Sequence, residues 1–130
     1  MAAMAVRMAF NAITDWVIAA LAASGVPEVV QHGVSDLVLH ERKIGGSCVY
    51  RTRGLLYYST TLLCEPKMPL VDRYLLHPPR EPEYRQGRPH TEFMGSLQGV
   101  YGLNSNSVFL KNLNRHLSNS LESIAAFPSP

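Results

Sequence analysis

The sequence predicts an α+β domain in which an antiparallel three-stranded meander packs with helices. Three observations predict it. Residues 4–24 carry apolar side chains at helical spacing, residues 36–63 alternate as strands broken by two tight turns, and residues 91–124 return to helical spacing. The chain's 130 residues allow one domain at most, and an apolar content of 46% suffices for a core. A single domain over residues 1–130 is therefore expected, with a helix at 4–24, the meander at 36–63, a Pro/Arg-rich loop at 77–90 and C-terminal helices at 91–124.

In the first helix, Val6, Phe10, Ile13, Val17, Ala20 and Leu21 recur on one side. Gly25 suits the cap at its end, and Pro27 blocks continuation. Residues 28–35, EVVQHGVS, read as a connector with room for a short strand. Asp36 to His40 alternates as the first strand of the meander, and Glu41-Arg42-Lys43 is the turn candidate after it. Ile44 to Arg51 is the second strand, Thr52-Arg53-Gly54 the second turn and Leu55 to Leu63 the third strand. Pro66 to Leu76 fits a short helix with Leu70, Val71 and Tyr74 inward. His77 to His90 holds four prolines and three arginines, which excludes a regular element and leaves an extended, ordered loop. Thr91 to Tyr101 reads as a helix with Thr91 as N-cap, and Gly102 ends it. Asn104 to Ile124 reads as the last helix, with Val108, Leu110, Leu113, Leu117 and Leu121 as its apolar positions and a frayed tail from Phe127.

Net charge is only +2, yet nine of the twelve Lys/Arg lie between Arg42 and Arg88, against four acids there. Such a local excess suits an anion: a phosphate, a carboxylate or an acidic partner. Arg51, Arg53, Tyr57 and Tyr58 interleave charge with aromatics as a stacking surface does, but the low net charge places nucleic acid outside the expected partners. Cys48 and Cys64 are too few for a disulfide framework and read as buried, reduced thiols of a cytoplasmic protein. Five scattered histidines give no metal-ligand spacing, so no metal site is expected in the chain. No run of about 18 apolar residues is expected to span a membrane. The N-terminal stretch reads as an amphipathic helix rather than a signal peptide, because Asp15 precedes the apolar run and Arg7 is its whole basic region.

The chemistry concentrates at Lys43-Ile44-Gly45-Gly46-Ser47. Glycines let a backbone come close to a ligand, and an adjacent ammonium can pair with a carboxylate or phosphate. Together they can stabilise charge on an acyl phosphate under attack. The G-x-x-x-x-G-K order of a phosphate-binding loop is absent, so the same residues also fit a hairpin turn with a surface lysine.

The run SDLVLHERKIGGSCVYRTRGLLYYSTTLL, residues 35–63, resembles the second half of the catalytic domain of lipoate–protein ligases and their octanoyl- and biotinyl-transfer relatives. In that family a strand of type N-D-L-x-V leads to G-x-K-x-x-G-S-A, and a strand ending in H-G-T-L-L follows. The matching residues are Asp36-Leu37-Val38, Arg42 to Ser47 and Thr61-Leu62-Leu63. Leu21 to Val26 resembles the family's L-x-x-L-G-V helix end, and Tyr74-Leu75 with Pro79 to Arg88 resembles a segment of some members. The resemblance spans about residues 9–125. It implies a partial class II synthetase/biotinyl–lipoyl ligase fold and ATP-dependent acyl transfer, with ATP, magnesium, and lipoate or octanoate as the acyl substrate. A lysine of a lipoyl carrier domain would be the acceptor. Lys43 would be the catalytic residue, contacting the acyl-adenylate, with Gly45, Gly46, Ser47 and Thr61 lining its site.

Two departures shape the expectation. The family's His-Gly before T-L-L is Ser59-Thr60 here. Its R-R-x-S/T-G-G-G-x-V-x-H motif, which belongs to the N-terminal half of the domain, is absent. The resemblance therefore implies the C-terminal half of the domain, completed by a separate N-terminal ligase half or by a second copy of the chain. A non-catalytic interaction or regulatory module derived from the same fold is the alternative. Arg80, Arg85 and Arg88 are candidate anion-binding residues, and pairing with Glu81 and Glu83 to fix the loop is the other reading of them.

Overall fold

The computed structural model describes residues 2–102 and 107–124. The first helix, α1 (Ala2–Ala23), buries Phe10, Thr14, Val17, Ala20 and Leu21 in one stripe. Thr14 was hidden from hydropathy; its hydroxyl donates to the Phe10 carbonyl at 2.9 Å, which satisfies it inside the stripe. The helix ends in a paired closure: Val26 N–H donates to Leu21 O at 2.9 Å and Gly25 N–H to Ala22 O at 3.2 Å, with Gly25 at φ 100°. By length and composition Ala5–Ala23 does reach what a membrane span requires, which corrects the expectation drawn from the sequence. In the fold its apolar stripe lies against the sheet and the last helix.

Four antiparallel strands follow in chain order: β1 (Val30–His32), β2 (Asp36–Leu39), β3 (Arg42–Thr52) and β4 (Leu55–Leu62). The expected three-stranded meander is β2–β4, and β1 adds a fourth strand from the connector. The first turn is His40-Glu41, both at positive φ (49° and 62°), so Arg42 and Lys43 already belong to β3 rather than to a turn. A two-residue turn of this hand matches the twist of the strands it joins. Arg53-Gly54 makes the second turn in the same way.

The helical segments depart further from expectation. Helix α2 (Met68–Tyr74) buries none of its residues, and Leu70 and Tyr74 are exposed rather than inward. In place of one helix over 91–101 there are two, α3 (His90–Phe93) and α4 (Leu97–Tyr101). The break has a cause. Gly95 N–H donates to Lys43 O at 2.8 Å, and a Cβ there would stand 3.0 Å from Ile44 Cγ2, so Met94–Ser96 runs extended beside β3. Ser96, not Thr91, caps a helix: its hydroxyl accepts from Gly99 N–H at 3.1 Å.

Helix α5 (Ser107–Asn119) turns Phe109, Leu113 and Leu117 to the core, whereas Val108 and Leu110 face solvent. The expected apolar face is corrected by that rotation, and Leu121 is likewise exposed. The expected helix start at Asn104 and the tail from Phe127 lie outside the described residues. Leu21, Val26, Leu37, Leu39, Ile44 and Leu97 are fully buried where the helices meet the sheet. Each such side chain contributes about 1.5–3 kcal/mol. Cys64 is half-buried but Cys48 is exposed on β3, which corrects the reading of both thiols as core.

Candidate functional site

A cleft of about 500 Å³ opens on the face of the sheet opposite α1. Asp36, Lys43, Gly45, Gly46, Ser47 and Thr61 line its sheet side. Leu75, Arg85, His90, Phe93 and Met94 close the other side. The structure thus brings together Lys43, Gly45, Gly46, Ser47, Thr61 and Arg85 of the sequence-predicted residues. Arg80 and Arg88 lie outside the lining.

Local geometry explains each placement. The pairing of β2 with β3 slips between Leu37 and Val38, where Ile44 is the extra residue. Such a bulge re-aims the side chains on either side of it. Ile44 drops into the core, and Lys43 comes to lie on the same side as Gly46: a Cβ on Gly46 would meet Lys43 Cε at 3.6 Å and Nζ at 3.7 Å. Gly45 serves the sheet instead. A Cβ there would stand 2.2 Å from Thr61 O, so only glycine lets β3 and β4 close at this pair. The Thr61 hydroxyl donates to Gly46 O at 3.3 Å.

Ser47 lines the cleft, yet its hydroxyl is engaged elsewhere. It donates to Thr60 Oγ1 at 2.9 Å and accepts from the Tyr58 hydroxyl at 2.9 Å, and Tyr58 meets Thr14 of α1 at 3.3 Å. The Ser47 amide donates to Ser35 O at 2.8 Å. The Ser47 amide is therefore not free to bind an anion, and the Lys43 ammonium is the anion ligand on this strand.

That cation is held. Lys43 Nζ lies 2.9 Å from Asp36 Oδ1, with the two side chains 34% and 14% exposed. The Tyr84 hydroxyl donates to the other oxygen, Asp36 Oδ2, at 2.7 Å. Burial, then the hydrogen bond and charge of Asp36, push the Tyr84 phenol well above its ordinary value, so it stays a donor at neutral pH. Asp36 and Tyr84 were not singled out as site residues from the sequence. The Asp-Leu-Val strand start carried the signal for Asp36, whereas nothing local marks Tyr84.

Arg85 is buried at 4% exposure, unusual for a guanidinium. Its Nε donates to Arg88 O at 2.9 Å and lies 3.5 Å from Glu81, and its plane covers Phe93 at 4.7 Å. Its Nη2 faces Nδ1 of His77 and of His90 at 3.4 and 3.3 Å. Arg88 donates to the carbonyls of Glu41, Tyr84 and Arg85. Both arginines thus fix the loop, and Arg85 also borders the cleft. Arg80 is exposed.

Among the described residues no group of three or more His, Cys, Asp or Glu fits a metal ion. The carboxylate in the cleft lining, Asp36, is already shared between Lys43 and Tyr84. These side chains do not form a magnesium site of their own. What they do form is a cleft with an oriented ammonium at a glycine-paired strand, suited to an anionic group with an apolar tail beside Leu63, Leu75 and Phe93.

The family described as the lipoyl protein ligase A/B catalytic domain matches the chain over residues 2–121. No match was found among curated proteins or among solved structures.

Proposed function

From the premise that the chain belongs to the lipoyl protein ligase A/B catalytic domain family, we infer that its cleft binds an acyl-adenylate and serves ATP-dependent transfer of lipoate or octanoate to a carrier-domain lysine. The observation that carries this reading is the meeting of Lys43, Gly45, Gly46, Ser47 and Thr61 in one cleft. In activation, a carboxylate oxygen of the acid bonds to the α-phosphorus of ATP and the bond to pyrophosphate breaks. In transfer, the acceptor amine bonds to the acyl carbon, the bond to AMP breaks, and the amine's proton goes to solvent. In this reading Lys43 neutralises the phosphate and the developing charge on the acyl oxygen in both steps, and its position in the cleft lining supports that role. Arg85 adds a second cation at the rim, and Leu63, Leu75 and Phe93 suit the acyl chain.

The partner follows from the same reading. The cleft face of the β3–β4 hairpin continues past Cys48 to Tyr50, Leu55 and Tyr57, which are 65%, 71% and 67% exposed. That uncovered face supports completion of the site by a separate ligase half or a second copy, in the cytoplasm where lipoyl carriers would be acylated. It equally favours the second reading, an interaction module of the ligase fold. Incubation with ATP, magnesium and octanoate or lipoate, followed by mass spectrometry, separates them. Acyl-adenylate from wild type and its loss in Lys43→Ala supports the ligase; none from wild type, alone or with a complementing half, leaves the interaction module.

A further inference from the structure

The geometry points to Tyr84 as a positioning residue for the Lys43 ammonium, acting through the Asp36 carboxylate. The inference rests on the ligase reading for its functional meaning, although the contact itself does not. Lysine is a compact charge on a four-carbon stem, and left alone its ammonium sweeps a large volume. Here Asp36 Oδ1 holds it at 2.9 Å. A carboxylate can rotate about its own bond, so one contact does not fix the ammonium. Tyr84 supplies the second, with its hydroxyl on Oδ2 at 2.7 Å.

Tyr84 is itself locked. Its ring stacks on His32 at 4.5 Å and 27°, and packs on Phe93 at 5.2 Å. Phe93 in turn lies under Arg85 and Arg88. Arg88 ties the segment to the Glu41 carbonyl at the β2–β3 turn. The Pro/Arg-rich loop therefore sets the position of a side chain 48 residues away from Asp36 in sequence, and through it the cation in the cleft. Tyr84 does not line the cleft, so it acts on the ammonium only by way of Asp36.

The test reads Lys43 directly. Reductive methylation with formaldehyde and cyanoborohydride, followed by peptide mass spectrometry, gives the rate at Lys43 against Lys67 and Lys111 in the same chain. Tyr84→Phe keeps the stacked ring and removes the hydroxyl; it is expected to raise the Lys43 rate about fivefold with the two references unchanged. Asp36→Asn raises it at least as much, and the double variant goes no further than Asp36→Asn alone, because Tyr84 has no other route to the lysine. An unchanged Lys43 rate in folded Tyr84→Phe, or additive effects in the double variant, overturns the proposal. Should Tyr84→Phe not fold, the hydroxyl proton of Tyr84 followed by NMR at neutral pH in Asp36→Asn decides: an upfield move from its position in wild type is expected, and an unmoved resonance overturns it. Where wild type forms adenylate, Tyr84→Phe should lower kcat about tenfold with KM for ATP nearly unchanged. Absence of adenylate from wild type would count against the ligase reading alone, since the labelling is independent of it.

Discussion

Adjacent glycines in the cleft do different work. At Gly45 a methyl group would strike the Thr61 carbonyl at 2.2 Å, against backbone that cannot swing away. Gly45→Ala is therefore expected to destabilise by about 3 kcal/mol, read as a lower urea midpoint. At Gly46 a methyl group would meet only the end of the Lys43 side chain at ordinary contact distance. Gly46→Ala should leave the unfolding free energy within about 0.5 kcal/mol of wild type while weakening binding of an anionic ligand, because the added methyl takes the space beside the ammonium. A sequence shows both as one Gly-Gly pair; only the register of β3 against β4 separates them. That Lys43, Ser47 and Thr61 come to one cleft was legible because they belong to a short pattern on neighbouring strands. Asp36 with Tyr84 was not, because the contact joins residues 48 apart and a phenol carries no sign of its partner.

Among the elements, α5 shows where periodicity was ambiguous. Val108, Phe109 and Leu110 are consecutive apolar residues, so two faces compete, and only packing on α1 selects Phe109, Leu113 and Leu117. Phe109→Ala should cost about 3–5 kcal/mol, and Val108→Ala within about 0.5 kcal/mol, in equilibrium unfolding. The meander was legible from alternation, but its first turn was not: neither His40 nor Glu41 is a glycine, although both take positive φ. In the Pro/Arg-rich loop, the Gly87 amide first, and His77 and Arg85 after it, hold the Glu81 carboxyl below the ordinary carboxylate range. A lowered folded-state value means the stabilisation is present above the unfolded carboxylate pKa, about 4.3, and is lost as pH falls through the folded one. Thermal melts between pH 7 and 3 should show a steeper acid loss for wild type than for Glu81→Gln, which starts lower and changes less.

At the scale of the molecule, one layer of helices covers one face of the sheet, and the loop and short helices cover only part of the other. The cleft lies at the boundary between covered and bare sheet, where Lys43 meets the loop and the hairpin runs on to Tyr50 and Tyr57. Helix α2 was misread for the same reason: Leu70 and Tyr74 look like core residues at helical spacing but are exposed. Hydropathy says that such residues want cover without saying from where. The central claim is that the Lys43 cleft receives the phosphate and acyl group of an acyl-adenylate. Calorimetric titration with octanoyl-sulfamoyl-adenosine, an uncleavable mimic, tests it most directly. The account predicts saturable binding to wild type and affinity at least about tenfold weaker for Lys43→Ala, the loss of one charge-assisted contact. Equal affinity for the two proteins, or none for wild type, would contradict it.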